Sequence, residues 1–130
     1  MHALNTILQK KLLAEKINQY IVYAPYIARK AKAGQFVILR LADGGERVPM
    51  TIVDHDSSEG TITLIVQTVG KTTMMLEALQ PGEIIHDVLG PLGNPSKIKN
   101  FGKEAVIGGG VGAAVAYPVA KALKLAGNHV

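Results

Sequence analysis

Short apolar runs broken by turn residues dominate the first two-thirds of the sequence. Residues 35–41 follow an Ala-Gly break and are stopped by Asp-Gly-Gly, which predicts a strand followed by a tight turn. Residues 47–53 supply the returning strand, and residues 61–68 are β-branched and partly alternating, as a half-buried strand is. Residues 17–23 and 84–89 complete the set. Strands this short and closely spaced predict a mainly β fold, a small antiparallel barrel of five or six strands.

Composition restricts the class of protein. The chain has 130 residues, 48% of them hydrophobic, without a signal-peptide pattern at its start or an apolar run long enough to span a membrane. Its net charge of +4 comes from dispersed basic residues, and we expect the one cluster, residues 29–32, to be a solvated loop. The chain has few aromatic side chains that could stack on nucleic-acid bases: two Phe, four Tyr and no Trp. We therefore predict a cytoplasmic protein that binds neither nucleic acid nor membranes.

The pattern of short apolar runs ends at residues 90–95, where prolines and glycines are expected to stop any regular element. We place a domain boundary there, with one domain over residues 1–98 and the start of a second over residues 99–130. In the second, Lys103 to Ile107 predicts a short buried strand, and Ala113 to Ala126 predicts a helix ending at Gly127. Pro118 either kinks this helix or marks the first position of its well-packed part.

A glycine-rich loop lies between that strand and that helix. Gly108, Gly110 and Ala113 fit the pattern G-x-G-x-x-A, which presents backbone N–H groups and the positive end of a helix to a pyrophosphate. A glycine-rich βα turn without a ligand accounts for the same pattern. The loop alone does not separate the two interpretations.

A second candidate phosphate site combines two strand ends. Arg47 and Thr51 lie on one predicted strand, and Gly70, Thr72 and Thr73 follow another, at a predicted helix start. A guanidinium can bind a phosphate through paired hydrogen bonds, while threonine hydroxyls and the N–H groups near a glycine add donors. Taken separately, the two pieces are also explained as an arginine at a strand edge and a capped helix.

Thiol and metal chemistry find no support in the sequence. There is no cysteine, so we expect no iron-sulfur cluster on this chain, and the four histidines are too dispersed to suggest a metal site. Polar loop residues 54–60 place His55 in solvent rather than at a reacting centre. We name no catalytic residue and no metal ligand, and any redox chemistry would belong to a bound cofactor.

As a set, these segments resemble the FAD-binding subunits of the ferredoxin-NADP reductase superfamily. The branch they most resemble contains the small subunit of NADH-dependent ferredoxin-NADP oxidoreductase (also known as sulfide dehydrogenase) and the electron-transfer subunit of dihydroorotate dehydrogenase. The resemblance runs almost the whole length. It rests on residues 33–37, 45–52, 81–83, 90–93 and 108–112.

The resemblance implies a six-stranded Greek-key barrel that holds FAD, followed by the first βα unit of a Rossmann-like domain for NAD(P)H. Arg47 and Thr51 would contact the FAD phosphates, Pro49 and Met50 would lie along the flavin, and residues 70–73 would contact phosphate again. The arginine of the family motif stands three residues before the hydroxyl, with an aromatic between them, whereas here the spacing is four and no aromatic intervenes. The implied cofactor-binding residues are Arg47, Pro49, Met50, Thr51, Gln67, Gly70, Thr72, Thr73, Gly108, Gly109, Gly110, Val111 and Gly112.

Two functions follow from this resemblance. The first is a flavoprotein component that accepts hydride from NAD(P)H and passes electrons to a partner subunit or ferredoxin. The alternative is a non-enzymatic flavin-binding or assembly module that lacks a competent NAD(P) domain. Neither the choice between NADH and NADPH nor the electron acceptor is contained in the sequence.

The end of the chain suggests an incomplete nucleotide domain. We expect no later strand to pair with residues 103–107, and an unpaired strand beside an apolar helix favours association. Residues 103–130 are therefore expected to be disordered or packed against another copy of the chain, and NAD(P) affinity is expected to be poor.

Overall fold

The computed structural model describes residues 2–108 and 112–130. Within these residues the chain forms strands in two antiparallel sheets, together with three helices. The elements in chain order are β1 (Ile7–Ala14), β2 (Ile17–Tyr23), α1 (Pro25–Lys30), β3 (Phe36–Arg40), β4 (Arg47–Thr51), β5 (Asp54–Asp56), β6 (Thr61–Gln67), α2 (Lys71–Ala78), β7 (Asp87–Leu92) and α3 (Gly112–Leu125).

The first sheet has the strand order β1-β2-β6-β5. Its centre is the β2–β6 pair, whose register runs without a break from Ile17 opposite Gln67 to Tyr23 opposite Thr61. On β6 every second residue is buried, namely Ile62, Leu64 and Val66. This alternation places the β-branched and leucine side chains of one face in the core, which is why the register is well defined.

The second sheet has the order β4-β3-β7. Arg40 pairs with Arg47 at one end of the β3–β4 ladder, and Phe36 pairs with Thr51 at the other. Strand β7 continues to Leu92, through the Gly90-Pro91 segment where we expected regular structure to stop. The expectation was wrong because β7 is an edge strand and its register against β3 shifts there, so the ladder tolerates a residue without an N–H group.

The two sheets meet at two corners. At one corner the chain passes directly from β4 into β5, where the Ile52 N–H donates to Gln35 O (3.1 Å) and the Val53 N–H donates to Thr63 O (2.9 Å). At the other, Thr6 bridges Ile84, and the Ile7 N–H donates to Glu83 O at 2.9 Å. The mainly β, antiparallel fold is thus confirmed, as two sheets joined at corners instead of one uninterrupted ladder.

The core fills the space between the sheets. Val37 and Leu39 of β3 face Tyr20, Leu64 and Ile85, and all of them are almost fully buried. Helices α1 and α2 add Ala28 and Leu76 to this cluster. Burial raises the pKa of the Tyr20 phenol to about 12, and the nearby Glu77 carboxylate contributes to the shift.

Several local expectations need correction. Residues 29–32, expected as a solvated loop, include the last turn of α1, which Pro25 begins at a position where its missing N–H costs nothing. Polar residues 54–56 form β5 because their backbone pairs with β6. Strand β1 was not predicted at all. Its lysines and exposed leucines obscure the alternation on an edge strand.

The C-terminal segment also differs from expectation. Residues 103–107 are largely exposed and do not form the short buried strand that we predicted. Lys103 pairs in parallel with His129 through one isolated bridge, while among the described residues no later strand pairs with this segment. Helix α3 is folded and contains Pro118, and Gly127 has a φ of +97° just beyond it. A disordered tail therefore does not describe residues 112–130, while association between copies stays a prediction.

The side chain of Asn128 holds this C-terminal unit together. Its oxygen accepts hydrogen bonds from the N–H groups of Phe101 and Gly102, and its nitrogen donates to Lys99 O (2.7 Å) and Leu123 O (2.9 Å). Asn128 is 6% exposed, so these bonds are shielded from water. One amide thus links the segment before the glycine loop to the end of α3.

No helix in the described part of the chain is both long and apolar enough to cross a membrane.

Replacing Asn128 with Ala should destabilise the C-terminal unit by about 2 to 4 kcal/mol, because buried backbone groups lose their partners. Amide hydrogen exchange should report faster exchange at residues 101–104 and 127–129, with β2 and β6 unchanged. Asn94→Ala, at an exposed position, is the matched control. Equal protection in the two variants would contradict a central role for the Asn128 amide.

Candidate functional site

A cleft opens where β4 and β6 separate. Residues 47–51, before the corner at Val53, form β4 and pair with β3. Residues 54–56, after the corner, form β5 and pair with β6. The space between β4 and β6 forms a cavity of about 300 Å³. Its lining is mainly apolar and comes from Val48, Pro49, Met50, Thr51, Val53, Ile65, Val66, Gln67, Val69, Thr73, Ala114 and Val115.

The structure brings five of the predicted site residues together at this cavity. Pro49, Met50 and Thr51 form one wall, while Gln67 and Thr73 lie on the opposite side. Alternation along β4 gives these residues different surroundings. Pro49 is exposed, whereas Met50 also packs against the hydrophobic core.

Arg47 is the first residue of β4 and does not line this cavity. It lines an adjacent cavity of about 270 Å³ together with Arg40 and Asp87. The Arg40 guanidinium is held by the Asp87 carboxylate, with its Nε 2.8 Å from Oδ2. Arg47 is exposed and, among the described residues, takes part in no ion pair. Its charge is therefore available to an anionic ligand.

The start of α2 faces the cleft from the other side. The helix begins at Lys71, one residue before the predicted start at Thr72, with Gly70 as its N-cap, and a Cβ added at Gly70 would meet no atom within 4 Å. The Thr73 hydroxyl accepts hydrogen bonds from the N–H groups of Val69 and Gly70 (2.9 Å each) and donates to Gly70 O. Because its proton is used within the cap, Thr73 shapes the turn, while the space beside Gly70 is open.

Thr72 makes a contact that the sequence did not predict. Its hydroxyl donates a hydrogen bond to the Glu46 carboxylate, 2.7 Å away across the cleft. Glu46 is exposed and directly precedes Arg47, which is the only sequence signal that would have suggested it. A carboxylate and a guanidinium thus follow each other in the chain where β4 begins, the first contacting Thr72 and the second lining the cavity shared with Arg40.

Helix α3, which follows the predicted glycine loop in the chain, reaches the same cavity. Ala114 and Val115, in the first turn of α3, line the cavity opposite β4. A Cβ at Gly108 would lie 2.9 Å from the Cα of Ala113, so the close approach of loop and helix requires glycine there. Gly109, Gly110 and Val111 lie outside the described residues. Gly108 and Gly112 do not line the cavity themselves.

Helix α3 is attached to the first sheet by an ion pair. The Lys121 ammonium lies 2.9 Å from the Asp54 carboxylate at the start of β5, and this contact raises the pKa of Lys121. His55 is exposed, as expected, with its Nδ1 3.1 Å from Ala28 O. No cluster of three or more metal-ligating side chains occurs within the described residues.

The sequence matches the oxidoreductase FAD-binding domain family over residues 6–96. It is 47% identical over 128 residues to a dihydroorotate dehydrogenase B (NAD(+)) electron transfer subunit homolog of Thermotoga maritima, covering 98% of this chain and 45% of the relative. It is 33% identical over 131 residues to the corresponding electron transfer subunit of Bacillus caldolyticus, covering 96% of this chain and 51% of the relative. The chain thus spans about half the length of these relatives.

Solved structures agree with this assignment. The fold matches that of an NADH-dependent reduced ferredoxin-NADP oxidoreductase with a TM-score of 0.96 and 47% identity, over 98% of this chain and 46% of the other. An Amycolatopsis cytochrome P450 reductase shares the fold, with a TM-score of 0.73 and 20% identity, over 95% of this chain and 39% of the other. The resemblance inferred from the motifs is confirmed, and the chain belongs to the oxidoreductase FAD-binding domain family, with a ferredoxin reductase-like fold.

Proposed function

We propose that this chain forms the flavin-binding part of an electron-transfer component in an NAD(P)H-dependent oxidoreductase. The observation that carries the proposal is the cleft between β4 and β6, where an apolar wall, a free arginine and the start of α2 converge. An apolar slot suits a flat ring system, and a cation beside a helix N-terminus suits phosphate. The residues present therefore fit FAD.

Each side of the cleft would hold a different part of the cofactor. Arg47 and the backbone N–H groups at the start of α2 would bind the diphosphate, since the guanidinium forms no ion pair with any described residue. Pro49, Met50 and Val69 would pack along the ring, with Gln67 supplying a polar contact. The Thr51 hydroxyl would join Arg47 at the phosphates. A bound flavin supplies the redox chemistry, and the protein orients it and shields one face from water.

Residues 99–130 would contribute the nicotinamide-nucleotide side of the site. We propose a division into residues 1–98 as the FAD domain and residues 99–130 as the start of an NAD(P)-binding domain, with residues 108–112 as its phosphate loop. The position of Ala114 and Val115 at the cavity supports this arrangement, because it brings the first turn of α3 close to the proposed flavin. A cytoplasmic location and a partner subunit or ferredoxin as electron acceptor accord with relatives that are electron transfer subunits.

A second candidate is a flavin-binding or assembly module without reductase activity. It is favoured by the exposed, irregular backbone of residues 103–107, where the described residues form one parallel pairing, between Lys103 and His129. Such a sparse sheet would bind a dinucleotide weakly.

The purified chain should contain FAD rather than FMN, because two separate segments at the cleft, Arg47–Thr51 and residues 70–73, suit a diphosphate better than one phosphate. Mass spectrometry of the released cofactor identifies it, and absorbance gives the stoichiometry. Protein that is colourless and takes up neither flavin would contradict the proposed function.

Replacing Arg47 with Ala should weaken FAD binding by about 1.5 to 3 kcal/mol, the usual contribution of a charge-assisted hydrogen bond. Arg29→Ala is the matched control, because it removes the same charge from an exposed helix position over Tyr26. Titration followed by flavin fluorescence measures both affinities. Equal affinities in the two variants would move the phosphate contact away from Arg47.

Anaerobic addition of NADH or NADPH separates the two candidate functions. An electron-transfer component should lose its flavin absorbance, and comparing the two nucleotides shows which is preferred. A chain that binds FAD with wild-type stoichiometry but keeps its colour with both nucleotides would be a binding module. We expect slow bleaching at high nucleotide concentration, since NAD(P) affinity should be poor.

A further inference from the structure

One side-chain contact crosses the proposed flavin cleft. The Thr72 hydroxyl, in the first turn of α2, donates to the Glu46 carboxylate at 2.7 Å, joining residues that are 26 positions apart in the chain. Glu46 belongs to the turn between β3 and β4, and Thr72 belongs to the segment that follows β6. The hydrogen bond therefore connects the two sheets on the side where β4 and β6 have separated.

The location of this contact matters because it is the end of the cleft assigned to phosphate. Arg47 follows Glu46 directly, and Gly70 and Lys71 precede Thr72 at the helix start. A helix N-terminus and a neighbouring guanidinium stabilise any anion placed between them. In this structure the carboxylate of Glu46 is the anion that contacts the helix start.

We propose that Glu46 is an internal competitor for the diphosphate of the flavin. Its carboxylate and the Thr72 hydroxyl form a clasp across the cleft, and the diphosphate displaces the carboxylate when it binds. Glu46 is thus an affinity-setting residue that disfavours phosphate-bearing flavins by charge. This inference rests on the proposed function, since it requires the cofactor phosphates to lie at this end of the cleft.

The Glu46–Thr72 hydrogen bond of the clasp can break at little cost. Glu46 is exposed, and hydrogen bonds between exposed side chains contribute little to stability because water replaces either partner. The turn before it contains Gly44, with a φ of +71°, and Gly45, whose N–H closes the turn on Ala42 O at 2.9 Å. Moving Glu46 therefore requires rotation within an exposed glycine turn and leaves both sheets intact.

Glu46→Gln tests the charge while keeping an oxygen that can accept from Thr72. FAD affinity, measured by fluorescence titration of flavin-free protein at low salt, should increase about 3- to 10-fold, as expected from removing one partly exposed like charge. The difference should shrink at high salt. Riboflavin affinity should not change, because riboflavin carries no phosphate.

Glu46→Ala is the second variant, because it removes both the charge and the clasp, and it should bind FAD at least as tightly as Glu46→Gln. Glu59→Gln, at an exposed loop position, is the control for a general charge effect and should bind FAD like the wild type. Circular dichroism establishes that each variant is folded.

The outcomes separate this inference from the function on which it rests. Wild-type protein that binds FAD, with Glu46 variants that bind it equally or more weakly, would overturn the competitor role and leave the proposed function standing. Equal strengthening of riboflavin binding would overturn it too, because the effect would not involve phosphate. Wild-type protein that binds neither FAD nor riboflavin would overturn the proposed function and the inference together.

Discussion

The site depends on a change of hydrogen-bonding partner within one continuous stretch of chain. Residues 47–51 pair with β3 and residues 54–56 pair with β6, and the corner between them is fixed by backbone bonds from Ile52 to Gln35 and from Val53 to Thr63. Before the corner the backbone takes its hydrogen-bond partners from β3, and after it from β6. The two sheets therefore separate on one side of the corner, and that separation is the cleft.

The same strands build the core and the site. On β6, Leu64 and Val66 are buried, while Gln67 at the strand end reaches the cleft. On β4, Met50 packs against the core and also lines the cavity, so changes to this wall would affect folding and ligand binding together. Glu46, just before β4, and Arg47, its first residue, mark the proposed phosphate end and are both exposed, so their substitution costs the core little.

The sequence predicted those strands and helices whose formation depends mainly on residues close together in the chain. Partial alternation located β6, the flanking turn residues located β3, and the predicted start of α2 at Thr72 lies one residue from its observed start. The edge strand β1 was missed because its lysines and exposed leucines do not alternate clearly, and β5 was missed because polar residues form it only when β6 is beside them. The Glu46–Thr72 contact could not be predicted, since it follows from how two separated turns are brought together by the sheets. Likewise, His129 pairs with Lys103 through a single bridge that leaves no periodic pattern.

The Asn128 amide has a mechanical consequence. It fixes the C-terminal end of α3 to residues 99–102, whereas the opposite end of the helix reaches the cleft at Ala114 and Val115. Because α3 is about 20 Å long, a small rotation of the helix about its Asn128 end displaces its other end, at the cleft, the most. The Lys121–Asp54 ion pair restrains the helix between these two ends. The width of the cleft on the α3 side therefore depends on how firmly the far end of the helix is held.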